Sequence, residues 1–429
     1  MERAEILELY EVPCRDIILL SSSSSSNSRE EIERLETVRE TLMERLGPTG
    51  PGLISITGVP NSHILRRNLL PLARTLALLD HHQRNPILKE HNLGSDVPLK
   101  DPDRNVTSFA MQLKYAEVLE STQNMIGHSV GPSVNLECNH VDVDGVRDLG
   151  DNEFKNLGNV FKELGFCMME IGLCLARICD KAIGGQELEQ SLLESGTAKA
   201  RLIHYHSALD RLVLREAGRK NVFAKRLGSN KMDQENSVKS EHKQPGGSKL
   251  FTNGPEVGLC GIHSNLWQQW HYDYGIFTVL TDPMFLLPSY SPEAMAEEQF
   301  SLSCDQECAS PSGDSYLQIF DPSKNKIFMV KTSPGSFILQ VGEWADILSK
   351  GKLCSTLHCV CRPEKLEKLS RETFVVFLQP TWSKTFSVSD YPFEHHKYGG
   401  HCFPEKNNLA EKDQNQLTRE IRKIVPPLS

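Results

Sequence analysis

Apolar positions in the first half of the chain recur at helical spacing. In SHILRRNLLPLARTLALLD (62–80) the leucines return every three or four residues, which predicts an amphipathic helix. Asn61 can cap it, and Pro71 should kink it. Ser28, Arg29, Glu30 and Glu31 form S-x-x-E, a capping box that opens a helix running to about Arg45. The strongest helical pattern covers about 152–183, with Phe154, Leu157, Phe161, Leu164 and Met168 on one face, and a weaker one covers about 107–126. VPCRDIILL (12–20), with Pro13 near its start, reads as a strand, as do GLISITGVP (52–60) and ARLIHYH (200–206). The serine run Ser21 to Ser26 reads as a flexible joint, and the polar, Pro-rich residues 84–106 as loop.

From about 255 onward the period shortens to that of strands, placed near 268–281, 315–321, 326–332, 336–341, 354–360 and 372–379. Residues 285–314, with Pro, Ser and acids, look like an insertion between two of them. A tract at about 219–250 holds eight Lys or Arg against three acids and few large apolar groups, the pattern of a solvated mobile loop. The expected organisation is α+β. A helix-rich N-terminal region (1–200) with two opening strands precedes a β-rich domain (201–385) and a C-terminal tail (386–429).

Length and composition add bounds. The 429 residues can bury a large core, and 39% hydrophobic with 24% charged residues is ordinary for a soluble protein. A net charge of −9 offers no general attraction to nucleic acid or anionic membrane. No apolar run approaches the roughly 20 residues of a membrane span, and the N-terminus lacks the basic start and long apolar stretch of a secretory signal. The twelve cysteines are scattered, and CDQEC (304–308) and CVC (359–361) lack zinc-site spacing. Buried, reduced thiols and a cytoplasmic setting are expected. The sequon NVT at 105 has no secretory context.

The candidate chemistry begins at QQWHYDYGIFTVLTDP (268–283). On a strand, residues two apart share a face, so His271 and Asp273 can aim an imidazole and a carboxylate at one point. Chance alone yields about two such pairs in a chain of this composition, and a rival exists at His140/Asp142. The rival fits a calcium loop poorly, with histidine at the first ligand position and Asp151 at the twelfth. It reads instead as an acidic turn before a helix.

Downstream, KLCSTLHCVCRP places Thr356, His358 and Val360 on one face, and RETFVVFLQP places Arg371, Thr373, Val375 and Phe377 on one face. An arginine on an otherwise apolar face needs an anion, because an unpaired buried charge is very costly. A carboxylate suits a guanidinium fork beside a hydroxyl. Two histidines and one carboxylate leave positions open on a metal, the facial triad of non-haem Fe(II) oxygenases.

The ordered set H-x-D, His, R-x-T resembles the 2-oxoglutarate/Fe(II)-dependent oxygenases of the isopenicillin N synthase-like, plant-type group. The family's H-T-D-x-G-x-x-T-x-L is similar to HYDYGIFTVL through His271, Asp273, Gly275, Thr278 and Leu280. STLHCV resembles its distal histidine segment at His358, and RETFVVFLQP its R-x-S strand, with Thr373 for serine. RLIHYHS resembles the strand that ends Y-Y-P, which gives Tyr205 the tyrosine that can touch the co-substrate. The good match spans about 201–385. Departures are Ile203 where the family often has Asn, His206 where it has Pro, and 85 residues from Asp273 to His358.

The resemblance implies a double-stranded β-helix (jelly-roll) core. It implies Fe(II) held by His271, Asp273 and His358, and 2-oxoglutarate bound at Arg371 and Thr373 beside Tyr205. O2 would be the oxidant, ascorbate a candidate reductant, and a small molecule the substrate, hydroxylated, desaturated or demethylated. Alternatives are a binding or regulatory protein on the same fold, a zinc hydrolase, and an oxidase independent of 2-oxoglutarate. Trp267 and Trp270 divide between pocket and core. His204 and His206 lie near the expected pocket, where substrate contact is the lesser reading, while His263, His395 and His396 read as surface polar residues.

Overall fold

The computed structural model describes residues 4–22, 28–99, 104–118, 153–216, 266–288, 305–321, 324–363 and 368–386, with 101 and 366. The chain opens with strands β1 (Glu5–Glu8) and β2 (Glu11–Pro13), then helices α1 (Cys14–Ser21) and α2 (Arg29–Leu46). There follow β3 (Leu53–Thr57), α3 (Ser62–Leu78), α4 (His81–Glu90), β4 (Gly94–Ser95) and β5 (Val106–Lys114). After α5 (Leu157–Ile183), α6 (Glu187–Ser195) and β6 (Thr197–Tyr205), the strands β7 (Leu266–His271), β8 (Phe277–Thr281), β9 (Met284–Pro288) and β10 (Asp305–Cys308) lead on. The last elements are β11 (Leu317–Asp321), β12 (Lys326–Lys331), β13 (Phe337–Val341), α7 (Glu343–Leu348), β14 (His358–Cys361) and β15 (Ser370–Leu378). No helix among the described residues is long and apolar enough to cross a membrane.

Two sheets form. The larger runs β2-β3-β13-β8-β15-β6-β5-β4, with β9 attached to β15 and β10 to β9; the smaller runs β1-β12-β11-β14-β7. Within them, β13-β8-β15-β6 and β12-β11-β14-β7 come from strands that mostly switch sheet from one to the next, the order of a double-stranded β-helix. Ile203, Tyr205, Ile338 and Val375 of the larger sheet meet Trp267, Leu317, Ile319, Phe328 and Val360 of the smaller in one core. Their alternation along each strand is what a two-sheet interior requires.

The opposite face of the larger sheet is covered by α5 and α3. Phe161 of α5 meets Phe374 of β15 edge-on, with ring centroids 4.8 Å apart. A Cβ at Gly165 or Gly172 would collide with Leu113 or Leu378, so these glycines let α5 lie close to the sheet.

Several expectations are corrected. The region expected to be helical at 107–126 begins with β5, which pairs with β6 over nine residues. Phe109, Met111 and Leu113 are buried on one face, and on the other Ser108 and Ala110 are buried while Gln112 and Lys114 are exposed, so the alternation that marks a strand shows only at its end. VPCRDIILL is extended only to Pro13. Its remainder is α1, with Cys14 and Ile17 one turn apart and buried, and with Asp16 held by Arg34 of α2 at 2.7 and 2.8 Å.

The expected loop at 84–106 contains most of α4, all of β4 and the first residue of β5. Asn61 stands at the start of α3 with a left-handed φ of 57° and no side-chain cap bond, so its contribution there is backbone tolerance. Helix α3 continues through Pro71 to Leu78. The strand expected at 268–281 is two strands, β7 and β8, in different sheets. Residues 285–314 include the antiparallel pair β9 and β10.

Ser28 does cap α2, accepting from the Glu31 amide at 3.2 Å. The described cysteines are free thiols, and burial pushes Cys167 up to about 12. The basic tract from 219, His140/Asp142, His263 and His395/His396 lie outside the described residues.

Candidate metal and anion site

His271 ends β7, Asp273 lies in the turn that carries the chain from the smaller to the larger sheet, and His358 begins β14 directly opposite His271. The turn is tight because Gly275 packs against the end of β15. A Cβ there would stand 2.8 Å from the Leu378 carbonyl oxygen, which the Ile276 amide already uses at 2.7 Å. The resemblance motif's glycine thus has a mechanical reason: it lets the aspartate turn seat between the sheets.

The three side chains converge. Asp273 Oδ1 is 3.7 Å from His271 Nε2, Asp273 Oδ2 is 3.9 Å from His358 Nε2, and the imidazole centroids are 4.2 Å apart. Asp273 and His358 are buried, while the His271 side chain keeps 31% of its surface, so the cluster opens to solvent on one side. Burial pushes the His358 imidazole below its ordinary value and keeps it neutral, the form that can bind a metal. The Nδ1–H of His271 donates to the Gln269 carbonyl at 2.7 Å, which leaves Nε2 facing the cluster with its lone pair.

Arg371 opens β15 and is 2% exposed. Its Nε donates to the Ser315 carbonyl at 3.0 Å, and its guanidinium lies 5.0 Å from the centre of the Tyr205 ring. Its Nη1 is buried with no partner. Burial lowers the guanidinium's proton affinity, yet among the described residues no carboxylate reaches it to form an ion pair. Thr373, two residues on and on the same face, has only a 3.4 Å contact to the Thr281 carbonyl and hydroxyl. An arginine with a free buried donor, beside a loosely held hydroxyl, offers the donors that an anion would need.

Tyr205 connects the two features. Its hydroxyl donates to Gln268 Oε1 at 3.0 Å, and Gln268 Nε2 donates to His271 Nε2 at 2.9 Å. Trp267 proves to be core, its indole N–H donating to the His206 carbonyl at 2.8 Å.

A second group, His204, His206 and Asp210, also brings three metal-ligating atoms within 4.8 Å of one another. It is a charge network instead. Asp210 Oδ1 accepts from Arg74 at 2.8 and 3.0 Å, and Oδ2 accepts from the Ser207 amide and hydroxyl at 2.8 and 2.7 Å. Burial alone would push His204 down, but Glu372 at 2.8 Å and Asp210 raise it to about 9, so it is itself a cation. Such a group repels a metal. Burial against Glu372 keeps His204 from substrate contact, in line with the reading favoured above, and His206 is equally enclosed, 2.7 Å from the Thr107 hydroxyl.

Two residues were not singled out in the sequence. Gln268 was hidden among other polar positions of β7. Gln340 had a signal, since it is the one polar residue of FILQV, a strand buried at every position.

Among solved structures, the chain is similar to a full-length Neurospora crassa protein in complex with alpha-KG and 5-formyluracil, with 13% identity, 91% of this chain and 94% of that one covered, and a TM-score of 0.48. JOX2 in complex with 2OG, Fe and JA is similar at 12% identity, covering 89% and 77%, with a TM-score of 0.45. The 2-oxoglutarate binary complex of AtDAO1, a dioxygenase for auxin oxidation from Arabidopsis thaliana, is similar at 14% identity, covering 90% and 99%, with a TM-score of 0.42. All three were solved with 2-oxoglutarate bound. No protein-family model and no curated protein matches the chain.

Proposed function

We propose that this chain is an Fe(II)- and 2-oxoglutarate-dependent dioxygenase that oxidises a small molecule, with release of succinate and CO2. The observation that carries this reading is the pairing of a His271/Asp273/His358 cluster with an arginine whose buried Nη1 has no partner, both joined to Tyr205 of the two-sheet core. A zinc hydrolase would have no use for that arginine.

His271, Asp273 and His358 would hold the metal, and three protein ligands leave positions for the co-substrate and oxygen. The donor set fits: two imidazole nitrogens and one carboxylate, with no lysine or arginine among the described residues paired to Asp273. Bound Fe(II) supplies the activation of O2 coupled to decarboxylation of the 2-oxo acid.

The chain's own residues do the rest. Arg371 and Thr373 bind the far carboxylate of 2-oxoglutarate and so point its keto-acid end toward the cluster. Tyr205 forms the wall between arginine and histidine. The apolar core around them excludes water, which strengthens the carboxylate–guanidinium pair. The net charge of −9 makes a nucleic acid a poor substrate and favours a small metabolite.

The test needs no substrate. Fe(II) and 2-oxoglutarate are added anaerobically to the metal-free protein, and the visible charge-transfer band of the chelate is recorded. The band should form in wild type and vanish in His271→Ala. Arg371→Ala should need about 10–100 times more 2-oxoglutarate, the worth of a buried charge-assisted bond. A folded wild type with no band sinks the reading.

A further inference from the structure

Gln340 sits in β13 with no exposed surface, at the position paired with Thr278 of β8. Its Nε2 is 2.8 Å from His358 Nδ1 and 3.4 Å from Asp273 Oδ2, so one amide touches two members of the cluster. Its Oε1 is buried without a partner, as is the hydroxyl of Thr278. The same His358 Nδ1 lies 3.0 Å from the Thr356 carbonyl. This nitrogen is therefore flanked by a donor, the Gln340 amide, and an acceptor, the Thr356 carbonyl. A neutral imidazole can satisfy only one of them at a time.

The two choices have different consequences. With the Gln340 N–H donating to Nδ1, the proton of His358 resides on Nε2, and that nitrogen cannot bind a metal. With the proton on Nδ1, donated to Thr356, Nε2 is free for a metal. The amide must then turn by half a rotation so that Oε1, now orphaned, faces the Nδ1–H. That half-turn also withdraws the N–H from Asp273 Oδ2 and releases the carboxylate.

We propose that Gln340 is a positioning residue whose amide has two orientations, one that holds His358 and Asp273 together in the metal-free protein and one that presents both to the metal. The inference rests on the metal role given above to His271, Asp273 and His358. A partner on the far nitrogen of a metal-bound histidine fixes its tautomer, and here the Thr356 carbonyl is that partner once the amide has turned away.

Two measurements on the full chain test this. In metal-free protein with 15N-labelled histidine, His358 should carry its proton on Nε2 and transfer it to Nδ1 on addition of Zn(II). In Gln340→Leu, which removes the competing donor, His358 should carry the Nδ1 proton before any metal is added. Wild type already protonated at Nδ1, or a variant with the wild-type pattern, overturns the proposal.

Co(II) titration, followed by its visible bands, supplies the second readout. Gln340→Leu, which starts in the Nδ1–H tautomer with the Thr356 carbonyl as acceptor and has no amide to turn, should bind more tightly than wild type. An affinity of Gln340→Leu equal to or below that of wild type refutes the two-orientation role. A wild type that binds neither metal defeats the dioxygenase reading instead, and the metal-free histidine spectra still decide the role of Gln340.

Discussion

Tyr205 shows how much one residue can be asked to do. Its ring packs 5.7 Å from Trp267, its face lies under Arg371, and its hydroxyl donates to Gln268. Burial pushes the phenol up, so it remains a neutral hydroxyl at ordinary pH. The ring and the hydroxyl can be separated experimentally. Tyr205→Phe keeps the cation–π contact and the packing, so 2-oxoglutarate affinity, measured by the anaerobic band, should fall by less than about fivefold, the worth of one neutral hydrogen bond. Tyr205→Ala should cost about 3–5 kcal/mol of unfolding free energy through the cavity it leaves. A loss above tenfold in the Phe variant would show that the hydroxyl itself touches the co-substrate. At this scale the sequence was informative where chemistry is rare: a lone arginine heading an apolar face, or a histidine and an aspartate two apart. It was silent on Gln268, because a glutamine in a polar stretch carries no signal of its partner.

Among the elements, legibility followed period and context. The later strands were readable to within a few residues because β11, β12 and β13 alternate between core and solvent or are short apolar runs. Strand β5 was not, since Ser108 and Ala110 are buried along with Phe109 and Met111, and its polar face shows only at Gln112 and Lys114. The split of 268–281 into two strands depends on a contact between distant segments. Gly342, at the start of α7, crosses the aspartate turn so closely that a Cβ would be forced against the Gly275 carbonyl and stand 3.0 Å from that of Asp273. Both obstacles are backbone, so neither can rotate away. Gly342→Ala should therefore cost about 1–3 kcal/mol of stability in denaturant unfolding. It should also weaken Co(II) binding, because the displaced turn carries Asp273. Gly94→Ala, where a Cβ meets nothing within 4 Å, is the matched control and should stay within about 0.5 kcal/mol of wild type. If Gly342→Ala binds Co(II) as wild type does, the crossing does not set the position of the carboxylate.

In the molecule as a whole, the helical layer is tied to the sheet by a chain of buried charges that alternates in sign: Arg74 of α3, Asp210, His204 of β6 and Glu372 of β15. Glu372 also accepts from the Ser370 hydroxyl at 2.7 Å, and the Asp210 carboxyl is held well below the usual range: burial would raise it, but His204 and Arg74 outweigh that. The network lies on the face of β15 opposite Arg371, so the strand that carries the proposed anion site is held from behind. The charge on His204 makes this support dependent on pH. Its folded value is raised to about 9 from an ordinary 6.5, so the protonated form is favoured by folding. The stabilisation is complete below about 6.5 and is lost as pH rises through about 9, when both states release the proton. At roughly 1.4 kcal/mol for each pH unit of separation, the full effect is on the order of 3 kcal/mol. Urea unfolding of the metal-free protein should show stability falling between pH 6.5 and 9, with the slope strongly reduced in His204→Gln. A wild type and variant with parallel pH profiles would mean that His204 is neutral in the fold, and that Glu372 holds a proton of its own between the sheet and the helices.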